Sequence, residues 1–256
     1  MPDIMTNYGP MFYLSRGTSA PPVVAIHGAG GLGRYWGNQL VGLSRTMRFV
    51  TFDLPGHGRS TGPTHTTIAE GAQRVQAIMD VLKIKQAVLM GHSMGGAIAL
   101  FLARQLPERV CALVLVGTGA RLRVHPQILA GIHADWNATT RLITEWSYAP
   151  GISPLVLDTA TAELCAVDQQ VVHSDYAACN AFDMMDEIGD VAAPALVVVG
   201  ERDRMTPPAY AQHLERSLPN ATLEIVPNAG HMVMLEQPNA VNDAVRRFMS
   251  RWNIER

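Results

Sequence analysis

Short apolar runs punctuate this chain at Val23–His27, Phe49–Asp53, Ala87–Met90, Ala112–Val116, Ala195–Val199 and Thr222–Val226. Most are nearly continuous Val, Ile, Leu, Ala or Met, which suits strands covered on both faces rather than half-exposed ones. Between them apolar positions recur every three to four residues over Ile68–Leu82, Met94–Leu106, Ala209–Leu218 and Ala240–Arg251, the period of helices with one buried face. Strand and helix alternate, so the pattern predicts an α/β fold with a parallel sheet. The segment around Met11–Leu14 reads as an antiparallel strand added at the edge.

The rhythm breaks after Val116. From there to Ala195 no run reads as a strand, and amphipathic pieces follow one another at Pro126–Ala134, Thr139–Trp146, Ser153–Val167 and Gln169–Asp186. A connection this long carries structure of its own or a function. We read it as a helical lid inserted over the C-terminal edge of the sheet. The expected organisation is a core in two parts, residues 1–119 and 189–256, with a cap over residues 120–188. On this reading, removal of Arg121–Asp186 changes selectivity more than the integrity of the sheet.

Composition narrows the class. Apolar residues fill 48% of 256 positions, enough for a substantial core and too many for a disordered chain. Twenty basic side chains against twenty-two acidic ones leave a formal charge of −2, so the basic footprint of a nucleic-acid partner is missing. No run has the length of a membrane span, and Met1 to Ala20 lacks the basic-then-apolar order of a secretory signal. Cys111, Cys165 and Cys179 are odd in number and lack metal-ligand spacing, so they read as reduced thiols of a cytoplasmic protein with no metal and no cofactor. The expected partner is a small molecule, and the expected assembly a monomer or homodimer.

The chemistry concentrates where the strand Ala87–Met90 ends. There Gly91-His92-Ser93-Met94-Gly95 leads directly into an apolar helix. A sharp strand-to-helix turn exposes a serine hydroxyl, and glycines on either side permit close backbone approach. Ser93 is thus a candidate nucleophile, and the amide of Met94, at a helix N-terminus, a candidate oxyanion donor. A serine needs a base, and the base an orienting acid. Asp203 and His231 both follow predicted strands, as Ser93 does, and in a parallel sheet such ends share one edge. Glu201 competes with Asp203 as the acid, and His57 competes with His231 as the base, although its glycine-flanked turn is expected to brace the site. His92 is expected to point away from the Ser93 hydroxyl as a packing or pocket-wall residue, and His27 to be buried beneath the neighbouring glycine loop. The other histidines, including His65 and His125, are expected on the surface or in incidental packing.

A rival pattern overlaps this site. Gly28-Ala29-Gly30-Gly31-Leu32-Gly33 follows a strand and satisfies the dinucleotide-binding spacing, with Asp53 twenty residues beyond Gly33. That reading accounts for the first fifty residues but leaves Ser93, Asp203 and His231 unexplained. A Pro-Gly-His-Gly turn after Asp53 also replaces the helix that a dinucleotide unit would continue into.

Five motifs in this order carry a resemblance. They are His27-Gly28-Ala29-Gly30-Gly31, Asp53-Leu54-Pro55-Gly56-His57-Gly58-Arg59-Ser60, the Ser93 elbow, Gly200-Glu201-Arg202-Asp203, and Asn228-Ala229-Gly230-His231. The chain resembles the α/β-hydrolase superfamily, in particular serine esterases and lipase-like members with a helical cap. The resemblance spans nearly the whole length and is weakest in the cap. It implies a mostly parallel sheet of about eight strands flanked by helices. It further implies that Ser93 attacks an acyl carbon, that His231 relays the proton, and that Asp203 orients the imidazole. The second oxyanion amide falls to Ala29, beside Met94. Gly28, Gly30, His92 and Met232 are expected around the substrate, with Trp136, Trp146 and Met184 reaching it from the cap. Carboxylic esters are the expected substrates, thioesters next. Carbon–carbon, lactone and amide cleavage are variants of the same chemistry, and a ligand receptor that keeps the fold without turnover is the alternative from another class.

Overall fold

In the computed structural model, which describes residues 3–19 and 21–254, the apolar runs line up as one eight-stranded sheet. Met1, Pro2 and Ala20, part of the stretch read for a targeting signal, lie outside the described residues. The strands are β1 (Asp3–Thr6), β2 (Gly9–Arg16), β3 (Val23–Ile26), β4 (Phe49–Phe52), β5 (Ala87–His92), β6 (Val110–Val116), β7 (Ala195–Gly200) and β8 (Ala221–Val226). Their spatial order is β1-β2-β4-β3-β5-β6-β7-β8, with β1 and β2 antiparallel to their neighbours and β4 through β8 parallel. The edge strand expected at Met11–Leu14 is the centre of β2, and β1 pairs onto it as a hairpin that the sequence pattern did not suggest.

The helices are α1 (Gly37–Leu43), α2 (Ile68–Val81), α3 (Met94–Gln105), α4 (Pro126–Ala134), α5 (Trp136–Ser147), α6 (Pro154–Cys165), α7 (Gln169–Ala181), α8 (Pro208–Ser217), α9 (Val233–Glu236) and α10 (Pro238–Arg251). Alternation within the central strands divides the core in two. Val24 and Ile26 of β3 and Leu89 of β5 face α2, α3 and α8, whereas Val23, Ala25, Val88 and Met90 face α1 and α10. Each fully buried Val, Leu or Met contributes about 1.5–3 kcal/mol, so both faces of β5 hold the elbow that follows it. Helix α1 went unpredicted because Gly37 and Gly42 dilute its apolar period, yet burial of Leu43 stabilises it.

Helices α4 to α7 all lie between β6 and β7, where no strand was expected. Their apolar contacts form a cluster of their own around Ile132, Ile143 and Val172. Yet Ala178, Cys179, Phe182 and Met184 belong to the main core together with α2 and α3. Arg121–Asp186 thus contributes side chains to the main core as well as to its own cluster. Among the described residues no helix is long and apolar enough to cross a membrane.

Candidate active site

Ser93 is held in a conformation that a side chain seldom adopts, with φ +52° and ψ −115°. Such strain costs about 1–3 kcal/mol and persists only where the surroundings enforce it. Here the Ser93 amide donates to Val116 O on the neighbouring strand at 2.9 Å, while Ser93 O accepts from Gly96 and Ala97 in the first turn of α3. A Cβ at Gly91 would strike the Gly95 carbonyl, and one at Gly95 the Ile26 carbonyl, so strand and helix meet at a distance only glycine allows. Met94 opens α3, and its amide is among those a helix leaves without an intrahelical partner.

Asp203 and His231 arrive from the loops after β7 and β8. His231 Nδ1 donates to Asp203 Oδ2 at 2.9 Å. Thr206 Oγ1 donates to the same oxygen at 2.9 Å, and the amides of Met205 and Thr206 donate to Oδ1 at 2.9 and 2.8 Å. Burial opposes ionisation of Asp203, but the charge and hydrogen bond of His231 and the Thr206 donors outweigh it and keep the carboxyl below its usual range. The rival acid, Glu201, is exposed and accepts from the Asn228 amide instead. His92 donates from Nε2 to the His231 carbonyl at 3.1 Å, with the two rings 4.6 Å apart. Burial, then the neighbouring His231, push His92 down to about 3, so it is a neutral brace behind the imidazole.

Ser93 and His231 open into one cavity of about 510 Å³, within the range of small-molecule sites. Of the residues expected around a substrate, Gly28, Ala29, Gly30, His92, Trp146 and Met232 line it. Asp203 and Met94 lie behind its wall, at 4% and 0% exposure. Two expectations need correction. Met184 is not part of the lining, because its amide donates to Ala120 O and its side chain turns into the main core. Trp136 is not either: it opens α5, roughly 15 Å along the helix axis from Trp146 at 1.5 Å per residue, and packs within the inserted helices. His125, expected to be incidental, lines the cavity and sets its ring edge against Trp146 at 5.3 Å.

The glycine loop after β3 is shaped from beneath. His27 Nε2 accepts from the Leu54 amide at 3.0 Å, which leaves Nδ1–H to donate to Gly28 O at 2.8 Å. Burial, reinforced by His57, holds His27 down to about 3 and thus neutral. Asp53 receives the Gly33 amide on Oδ1 at 2.8 Å and the Arg59 amide on Oδ2 at 3.0 Å. Both oxygens of the residue that a dinucleotide site would turn toward a ribose are engaged with the protein's own loops.

A family model of the alpha/beta hydrolase family matches residues 23–244, from β3 into α10. The chain belongs to the alpha/beta hydrolase family. It is 31% identical over 258 residues to the protein of Caulobacter sp. (strain K31) named "Putative carbamate hydrolase RutD", covering 89% of this chain and 90% of that one. Among solved structures, a thermophilic esterase is 32% identical with a TM-score of 0.85, covering 95% of this chain and 94% of that one. The enol-lactonase from Burkholderia xenovorans LB400 is 25% identical with a TM-score of 0.89, covering 97% of this chain and all of that one.

In this hydrolase two acids that the sequence did not single out join the inserted helices to the loops of the site. Asp175 of α7 is fully buried, and its Oδ2 accepts from the Gly30 amide at 2.8 Å and from His57 Nε2 at 2.8 Å. His57 Nδ1 faces Pro55 O at 3.3 Å, so both ring nitrogens donate and the ring is an imidazolium. Burial lowers the pKa of His57, but the Asp175 charge and hydrogen bond reverse that and raise it; the same pairing overcomes burial to depress Asp175. His65, also buried, lies 3.5 Å from Asp175 Oδ1 and 3.4 Å from Met94 Sδ. Glu236 of α9 accepts from the amides of Gly230 and Ala149, both at 2.9 Å, fastening the loop of His231 to the end of α5. One signal for Asp175 was in the chain. It sits on the apolar stripe of α7, with Val171, Val172, Tyr176 and Cys179, where a lone carboxylate requires a buried partner.

Proposed function

We propose that the protein hydrolyses carboxylic esters through a Ser93–His231–Asp203 triad and an acyl-enzyme. The observation that carries this is the strained Ser93 elbow opening into the same cavity as His231, whose Nδ1 is bound to Asp203. The bond to Asp203 fixes the tautomer, leaving Nε2 as the basic nitrogen. Ser93 Oγ attacks the acyl carbon as His231 Nε2 takes its proton. The carbonyl oxygen becomes an oxyanion received by the amides of Ala29 and Met94, each typically worth about 10²–10³ in turnover. His231 returns the proton to the departing alcohol, and water, deprotonated by the same nitrogen, then releases the acid and restores Ser93.

Residues 120–188 act as the cap, and Trp146 and Met232 contribute apolar surface beside the acyl group. Lactone and carbamate cleavage, named for relatives, begin with the same attack on a carbonyl carbon. Steady-state and burst kinetics with p-nitrophenyl butyrate test the reading, beside a graded series of acyl-coenzyme A thioesters, a lactone and a carbamate. Steady multiple turnover that is lost in Ser93→Ala is expected. A single equivalent of release followed by silence would instead identify a receptor that traps its ligand.

A further inference from the structure

The cavity over Ser93 is lined unevenly in charge. Among the described residues no aspartate or glutamate lines it, whereas Arg123 and Arg204 both do. The other polar lining side chains are hydroxyl, thiol, imidazole and indole groups. Arg204 leaves the loop one residue after Asp203, and its guanidinium lies 5.6 Å from the centre of the Trp146 ring. His125 meets the same indole edge-on. Trp146 thus joins the loop after β7 to the segment after β6 that carries Arg123. Among the described residues Arg204 has no carboxylate at ion-pairing distance, and Arg123 reaches Asp183 only at 3.8 Å. That same Asp183 also serves Arg121, at 3.5 Å. Two guanidinium groups therefore line the cavity with no carboxylate in the lining, in a chain whose formal net charge is −2, so the local excess is not a reflection of overall composition.

An apolar bed beneath a positive rim suits a molecule with two ends. The acyl carbon reaches Ser93 through apolar contacts, and an anionic group remains at the arginines. A guanidinium matches a carboxylate with paired N–H donors, and one already resting near an indole gives up less freedom on binding. At low salt the positive rim also draws anions toward the cavity before contact. Neutral esters obtain none of this, and cationic ones are repelled.

We propose that Arg204, assisted by Arg123, selects esters that carry a carboxylate remote from the scissile carbonyl; this rests on the ester-hydrolase reading above. The test compares kcat/KM for monomethyl adipate with that for its neutral isostere, methyl 6-amino-6-oxohexanoate. The wild-type ratio is expected to favour the anion by about tenfold at low salt, the scale of one partly exposed charge-assisted pair, and to shrink at about 0.5 M sodium chloride. Arg204→Gln is expected to remove most of the preference, Arg204→Lys to restore part of it, and Arg123→Gln with Arg204→Gln to abolish it. Arg247→Gln on α10 removes a charge paired with Glu224 of β8 and leaves the ratio unchanged. A wild-type ratio of one or less, or a preference that survives the double substitution, overturns the proposal. A larger Arg204-dependent preference for hexanoyl-coenzyme A moves the anion to the leaving group and overturns the carboxylate assignment. If neither adipate ester turns over, cleavage of p-nitrophenyl butyrate tells whether the ester-hydrolase reading fails with them, and adipate binding to Ser93→Ala protein, followed by tryptophan fluorescence, decides the anion question. Saturable binding that weakens in Arg204→Gln supports the proposal, and none at millimolar adipate overturns it.

Discussion

Among the described residues, two buried histidine–aspartate pairs are joined by a short hydrogen bond, alike in distance and, on the proposed mechanism, opposite in use. In one, His231 Nδ1 meets Asp203 Oδ2 at 2.9 Å; in the other, His57 Nε2 meets Asp175 Oδ2 at 2.8 Å. Asp203 draws its other partners from its own loop, and His231 borders the cavity. Asp175 bridges segments 118 and 145 positions away, and neither its side chain nor that of His57 has any exposure. His57 spends both nitrogens as donors, so no lone pair is left to accept a proton. A His–Asp contact alone is therefore no sign of a general base. What separates the two roles is one ring nitrogen kept unengaged beside a space that a substrate can enter.

The two pairs should come apart under substitution. The largest expected effect is at the nucleophile served by the first pair: Ser93→Ala lowers ester kcat by about 10⁴–10⁶ with little change in the melting curve. Asp203→Asn follows, with a loss of about 10⁴ in kcat through the wrong His231 tautomer. At the second pair the balance reverses. Asp175→Asn leaves an imidazole and the Gly30 loop poorly partnered in the interior, costing about 3 kcal/mol of stability, or about 10 °C in Tm. Its kcat falls only about tenfold, as the loop beside Ala29 loosens. Equal stability losses in Asp203→Asn and Asp175→Asn, measured by differential scanning calorimetry, would erase the distinction.

Gly30 lies between the two sites in position and in expected effect. Its φ is +61°, and a Cβ there would press on Leu164. Gly30→Ala is expected to lower kcat by about 10²-fold, the scale of one displaced oxyanion donor, with KM for a neutral ester changing less. The smallest effect is that of pH on stability. His27 and His92 are held down to about 3 by burial, and His65 is lowered likewise, so an unfolded chain takes up protons below the ordinary value of 6.5 that the folded chain refuses. Stability from these groups is complete above 6.5 and declines as pH falls toward about 3. His57, raised by Asp175, acts in the other sense: its contribution is complete below 6.5 and declines as pH rises through its folded value. Among the histidines, four lowered groups, His173 included, against one raised predict a Tm that drops from pH 7 to pH 5, and His92→Gln should flatten that slope.

The elements most legible in the sequence are those whose signal is local. Val88, Leu89 and Met90 announce a strand by themselves, and the Ser93 turn by its glycines. All six parallel strands appear within two residues of their expected ends. The bracing of the site was less legible because its partners are distant along the chain. His57 was expected to brace and does, but nothing near it indicates an acid on α7. His65 was expected to be incidental, and becomes a core residue only once Met94 and Asp175 close around it. Trp136 and Trp146 share a helix and a composition, so sequence could not decide which end of α5 overlooks the cavity.

The Gly30–Asp175 hydrogen bond also limits how this hydrolase can be altered by recombination. The inserted helices are not a cassette that can be exchanged for those of another protein. A replacement that lacks an acid at this point would leave His57 buried without its partner and release the Gly30 amide. Chimaeras that carry the acid along, or that discard His57 together with it, are the ones with a route to a folded catalyst.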